Sequence, residues 1–135
     1  MRKPMVWGLL LAAALLTAGC ARTDLDLDIG EAGRIELYSG TDGEMVVIAD
    51  GEEMEQITGE INAMTFRREE PSADYSGWRY LLKWYDSRGQ LMEKVVILSE
   101  TRIEYEDYFY EGEEGDGRID LARLDELLDA GQAAN

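Results

Sequence analysis

The chain has 135 residues, with 13 Lys and Arg against 29 Asp and Glu, one cysteine and no histidine, for a formal charge of −16. This acid excess leaves no clustered positive charge for nucleic acid or an anionic lipid surface. The missing histidine excludes Ser-His-Asp and Cys-His catalysis and His-ligated zinc, and a lone cysteine makes neither an internal disulfide nor a four-cysteine metal site.

The N-terminus reads Met1-Arg2-Lys3-Pro4, then an almost unbroken apolar run from Met5 to Leu16, then Thr17-Ala18-Gly19-Cys20. A basic start, a dozen apolar residues and small residues before a cut site make an export signal. The run is shorter than the roughly 20 apolar residues that a spanning helix needs. Ala18 and Gly19 directly before Cys20 resemble the lipobox of bacterial lipoproteins, with Thr17 standing where that family usually has Leu. The resemblance implies cleavage after Gly19, a diacylglyceryl thioether on Cys20, and anchoring at the extracytoplasmic face of a membrane. Ala21, rather than Asp, at the next position leaves open an outer-membrane location or the outer face of a single membrane. The plainer alternative is an ordinary secretory signal with an incidental cysteine. Removing residues 1–19 takes away Arg2 and Lys3 and no acid, leaving 116 residues with 11 bases against 29 acids, a charge of −18. That length suits one domain.

Residues 20–33 read as the lipidated cysteine and an acidic tether, although the Asp/Leu alternation from Asp24 to Asp28 also fits the start of an edge strand. A single α+β domain is expected over 34–130. Arg34–Ser39 alternates as a strand, Gly40-Thr41-Asp42-Gly43 turns, and Glu44–Ala49 returns. Asp50 and Glu53 form a capping-box pattern ahead of a helix with Met54, Ile57, Ile61 and Met64 on one face. Thr65–Arg68 begins the next strand, and Glu70–Asp74 reads as a loop. Gly77–Tyr85 places Trp78, Tyr80, Leu82 and Trp84 on one face, and Gln90–Ser99 returns after a turn. Thr101–Tyr110 reads as one further strand. Asp120 caps a last helix carrying Leu121, Leu124, Leu127 and Leu128, which Gly131 ends. The order predicts an antiparallel sheet with one or two helices packed on one face.

Several residues invite a functional reading. Asp116-Gly117-Arg118-Ile119-Asp120 resembles the second half of an EF-hand loop, but Gly112 and Arg123 fall where calcium needs oxygen ligands. Asp116 and Asp120 are therefore weak metal candidates, and no cofactor beyond the acyl lipid on Cys20 is expected. Carboxylate pairs at glycosidase spacing arise by chance among so many acids, and nothing marks one as buried, so no catalytic residue is assigned and an enzyme is not expected. Trp78, Tyr80 and Trp84 form either an aromatic platform or, more simply, core. From Glu104 to Asp116 there are seven acids and no base, interleaved with Tyr105, Tyr108, Phe109 and Tyr110. Tyr105, Glu106, Asp107, Tyr108, Tyr110, Glu111, Glu113 and Glu114 are the candidate docking face for a cationic or cell-envelope partner. The bland reading is a solvated acidic edge that discourages sheet aggregation.

Ile35-Glu36-Leu37, Glu52–Ile57, Phe66, Gly77-Trp78, Trp84-Tyr85-Asp86 and Ile119-Asp120-Leu121 together resemble small lipoproteins of unknown function from Gram-positive bacteria. That resemblance implies a domain facing the cell wall and transfers no site residues. The expected role is binding without catalysis. The alternative is a small-ligand or cation-binding accessory lipoprotein of a transporter or sensor, which a cavity between Trp78 and Trp84 would favour.

Overall fold

The computed structural model describes residues 24–73 and 75–133, so Gly19, Cys20 and the rest of the N-terminal signal lie outside the described residues. Among these residues, eight strands form one antiparallel sheet with two helices, as the sequence predicts. The strands are β1 (Asp24–Asp26), β2 (Arg34–Ser39), β3 (Met45–Ile48), β4 (Thr65–Pro71), β5 (Tyr80–Tyr85), β6 (Leu91–Ile97), β7 (Arg102–Tyr105) and β8 (Tyr108–Gly112). The helices are α1 (Gly51–Asn62) and α2 (Leu121–Ala133). The sheet order is β1-β4-β8-β7-β6-β5-β2-β3, so β5 to β8 form a meander whose flanks are completed by β4 and β2.

Strand periodicity decides which face is buried. Ile35, Leu37, Leu82, Trp84, Val95, Ile97, Ile103 and Phe66 have no exposed surface and point to one side. Both helices cover that side. Ile57 and Ile61 of α1 join the core, and so do Leu121, Leu124 and Leu128 of α2. Trp84 Nε1 donates to Thr58 Oγ1 at 2.9 Å, tying α1 to the centre of the sheet. Tyr80 donates its hydroxyl to Asp125, tying α2 to β5. Asp50 caps α1 by accepting from Glu53 N, and Asp120 caps α2 by accepting from Arg123 N.

The structure departs from the sequence reading in five places. First, of the two readings of the acidic segment, the edge strand holds, since Asp24–Asp26 form β1 at the edge of the sheet, and the tether does not. Asp24 pairs with Arg67 and Asp26 with Thr65, while Leu27 and Ile29 are buried. Ile29 N and O exchange hydrogen bonds with the Asn62 side-chain amide, so this segment is strapped along α1. The apolar half of the Asp/Leu alternation thus belongs to the core. Second, β4 continues through Glu69 and Glu70 to Pro71, because the strand pairs with β8 on one side. Third, Thr101–Tyr110 is split into two strands by a hairpin at Glu106 and Asp107, whose φ angles are 45° and 70°. Both central residues at positive φ match the twist of the flanking strands, but a Glu-Asp turn lacks the Asn-Gly signature. Fourth, β5 begins only at Tyr80, and Trp78 lies outside it, 37 % exposed. Fifth, α2 runs through Gly131 to Ala133. A Cβ at Gly131 would stand 2.5 Å from Val46 Cγ2, so this glycine serves the close approach of α2 to β3 and not a helix stop.

Candidate interaction surface

The candidate residues lie on and just beyond the β7–β8 hairpin, and strand pairing separates them into two groups. Tyr105 pairs with Tyr108 at the hairpin tip, where Glu106 and Asp107 are exposed. Glu111 lies near the other end of β8, and Glu113 and Glu114 lie just past Gly112. Three residue steps of strand, roughly 10 Å from Tyr108 Cα to Glu111 Cα, keep the groups apart.

The aromatic half of the candidate face is largely internal. Tyr110 is 8 % exposed and shares the core with Ile103, its cross-strand partner. Phe109 is also buried, on the opposite sheet face, beneath an edge-on contact from Tyr75 and the guanidinium of Arg102. Tyr105 and Tyr108 are half-buried. The Tyr105 hydroxyl donates to Glu93 Oε2 at 2.9 Å, and burial together with that carboxylate pushes its phenol well above the ordinary tyrosine range. Burial and the Asp125 carboxylate raise Tyr80 in the same way. The Glu36 carboxylate raises Tyr38, and burial together with that carboxylate raises Tyr85, so four of the seven tyrosines are expected to stay protonated past the ordinary value of about 10. Because these pKa values are raised in the fold, the stability they confer is present below pH 10 and is lost as pH rises beyond it. An absorbance titration at 295 nm checks this. Incomplete ionisation until alkaline unfolding is expected, and a single native transition near 10 for all seven would contradict it.

The acidic half is compensated by bases from other strands, which no linear reading of residues 104–116 reveals. Register places Asp24, Arg67, Glu111 and Arg102 side by side across β1, β4, β8 and β7, a row of alternating charge. Arg102 pairs with Glu69, with Glu70 at 3.1 Å and with Glu111 at 3.7 Å. Arg67 stands 3.7 Å from Glu113, and the Arg68 guanidinium lies over the Tyr108 ring at 4.6 Å. Period 2 in both strands was a usable signal, because Arg67 and Glu69 alternate on one face of β4. The strand partners were not.

Beyond β8 the chain forms a groove of about 490 Å³ lined by Thr101, Glu111, Glu113, Glu114, Arg118 and the backbone of Gly112, Gly115 and Gly117. Gly115 and Gly117 adopt φ of 95° and 97°, which side chains rarely tolerate, so the loop needs these glycines to curl. Asp116 accepts from Thr65 N at 3.0 Å and pins the loop to the start of β4. Asp116 and Asp120 are thus a loop anchor and a helix cap, and among the described residues no three His, Cys, Asp or Glu side chains converge as a metal site. Thr101 donates to Glu111 at 2.6 Å, whereas Glu114 is exposed.

Trp78 and Trp84 share no cavity. Trp84 has no exposed surface, and Trp78 lies against Gly40 on the outside. A second groove, about 400 Å³, runs instead between Ile29–Ala32 and α1, lined by Met54, Glu55, Thr58 and Asn62. It exists only because Ile29 is tied to Asn62 of α1, a contact that local alternation does not reveal. On the far face of β2 and β5, burial of Glu36 opposes its ionisation. Hydrogen bonds from Tyr38 and Tyr85 and the Arg34 charge outweigh that and hold its carboxyl below the usual range. Comparison with protein-family models, with curated proteins and with solved structures gives no match.

Proposed function

We propose that the chain is a lipid-anchored extracytoplasmic protein whose folded domain binds a cationic partner in the groove at Glu111, Glu113 and Glu114. The observation that carries the location is the run from Arg2 to Cys20, a complete export signal closed by Ala18-Gly19-Cys20. The binding role rests on the groove, whose lining holds three carboxylates and Arg118; Arg102 stands 3.7 Å from Glu111 and Arg67 3.7 Å from Glu113, and Glu114 is exposed at the rim. Carboxylates on a concave surface of a strongly acidic domain attract a Lys- or Arg-rich segment over several ångströms and fix its register.

A Lys-rich peptide of about eight residues is the direct probe. Replacing Glu111, Glu113 and Glu114 together by Gln is expected to weaken its binding about tenfold or more at low salt. Replacing the exposed Glu52 and Glu55 of α1 by Gln changes net charge without touching the groove and is expected to have a much smaller effect. Equal losses in the two variants would reduce the attraction to bulk charge and remove the groove from the reading. The alternative, a small-ligand accessory lipoprotein, draws on the groove between Ile29–Ala32 and α1, which is a different surface.

A further inference from the structure

Incorporation of Asp24 into the sheet has a geometric consequence for the proposed anchor. Only Ala21, Arg22 and Thr23 separate Cys20 from β1. Four residue steps span at most about 14 Å, so a lipid on Cys20 holds the domain with no stand-off. The direction of β1 selects which end of the sheet adjoins the lipid. Asp24 pairs with Arg67 while Asp26 pairs with Thr65, so the chain before Asp24 leaves toward the Pro71 end of β4. Pro71 lies four residues beyond Arg67, a distance that the four steps back to Cys20 just match.

Pairing brings several other segments to that same end. Pro71 pairs with Tyr108 beside the Glu106-Asp107 tip, and Ser72 N donates to Asp107 O. Tyr85 pairs with Leu91 across the β5–β6 turn, and Arg34 at the start of β2 pairs with Tyr85. Two large apolar side chains are exposed there, Leu91 at 54 % and Met92 at 36 %. The Gly40–Gly43 turn between β2 and β3 lies at the opposite end, since Ser39 pairs with Tyr80.

We propose that the end of the sheet formed by the β5–β6 turn and the β7–β8 hairpin rests on the bilayer, with Leu91 and Met92 at the lipid surface. This rests on the anchor reading above and deepens it. Apolar side chains lying at the acyl–headgroup boundary add the second contact that one lipidated residue needs for a fixed orientation. The opposite end, with Thr41, points away from the membrane.

The test uses the full chain, processed by a lipoprotein-producing bacterium and reconstituted in phosphatidylcholine vesicles containing a headgroup-nitroxide lipid. Leu91→Cys and Thr41→Cys each introduce one free thiol for a fluorophore, because the thiol of Cys20 is consumed by the lipid. Intact mass reports the state of Cys20 separately. Quenching several-fold stronger at 91 than at 41 is expected. A flexible Gly/Ser insertion of about 20 residues after Ala21, with a root-mean-square reach of about 25 Å, is expected to reduce that difference sharply. Equal quenching at 91 and 41 in acylated, vesicle-bound protein overturns the placement and leaves the anchor intact. A Cys20 that carries no lipid overturns both.

Discussion

Trp84→Ala is expected to destabilise the domain by about 3–5 kcal/mol, the usual cost of truncating a fully buried large aromatic residue. Trp84 has no exposed surface, sits opposite Ile35 on β2, and donates its indole N–H to Thr58 of α1. Its removal therefore leaves a cavity between sheet and helix and deprives the half-buried Thr58 hydroxyl of its donor. Domains of this size are stable by only about 5–15 kcal/mol, so the variant approaches the unfolding threshold. A fall in melting temperature of at least about 12 °C is expected in circular dichroism. Trp78→Ala is the matched control. Trp78 is 37 % exposed and lies outside the strand, and its loss is expected to cost less than about 1 kcal/mol. Similar losses for the two tryptophans would contradict the sheet placement described here.

The contrast between the two tryptophans also shows where sequence reasoning stops. Alternation over 78–84 puts both on one face, and Tyr80, Leu82 and Trp84 obey it. Trp78 escapes because β5 starts where its antiparallel neighbours end, at Tyr80 opposite Ser39 and Ile97, and partner strands are invisible to local periodicity. The same cause hid the Glu106-Asp107 hairpin. Thr101–Tyr110 alternates well enough for one strand, and the turn uses side chains that tolerate positive φ only under tertiary constraint. Helix signals travelled better because they are local. Asp50 and Asp120 cap the helices that their sequence context predicts, and Ile57, Ile61, Leu124 and Leu128 bury the expected faces.

For the candidate site the limit was electrostatic. Seven acids without a base between Glu104 and Asp116 describe a chain segment, whereas charge acts through space. Arg67 and Arg102 reach Glu113 and Glu111 from other strands, and Tyr110 turns inward. What survives of the docking face is its distal part, the glycine-curled groove with Glu114 exposed at its rim. The hairpin tip, with Tyr105, Glu106, Asp107 and Tyr108, belongs to the end that the anchor proposal places at the lipid.

The second large effect concerns Cys20. On the proposed anchor, Cys20→Ala is expected to abolish acylation and shift the protein from the membrane or detergent phase to the aqueous phase. Among the described residues no helix is long and apolar enough to cross a membrane. The exposed Leu91 and Met92 alone bury too little apolar area to retain the domain. For the variant chain from which residues 1–19 have been removed, release of most of the protein is expected, with the fold and its melting temperature unchanged, since residue 20 precedes β1.

The intact mass of the wild-type protein extracted from membranes tests the central proposal most directly. The proposal predicts a chain beginning at Cys20 and heavier than residues 20–135 by one diacylglyceryl group, with or without a further N-acyl chain. A chain cleaved elsewhere, or one beginning at Cys20 with an unmodified thiol, would contradict it.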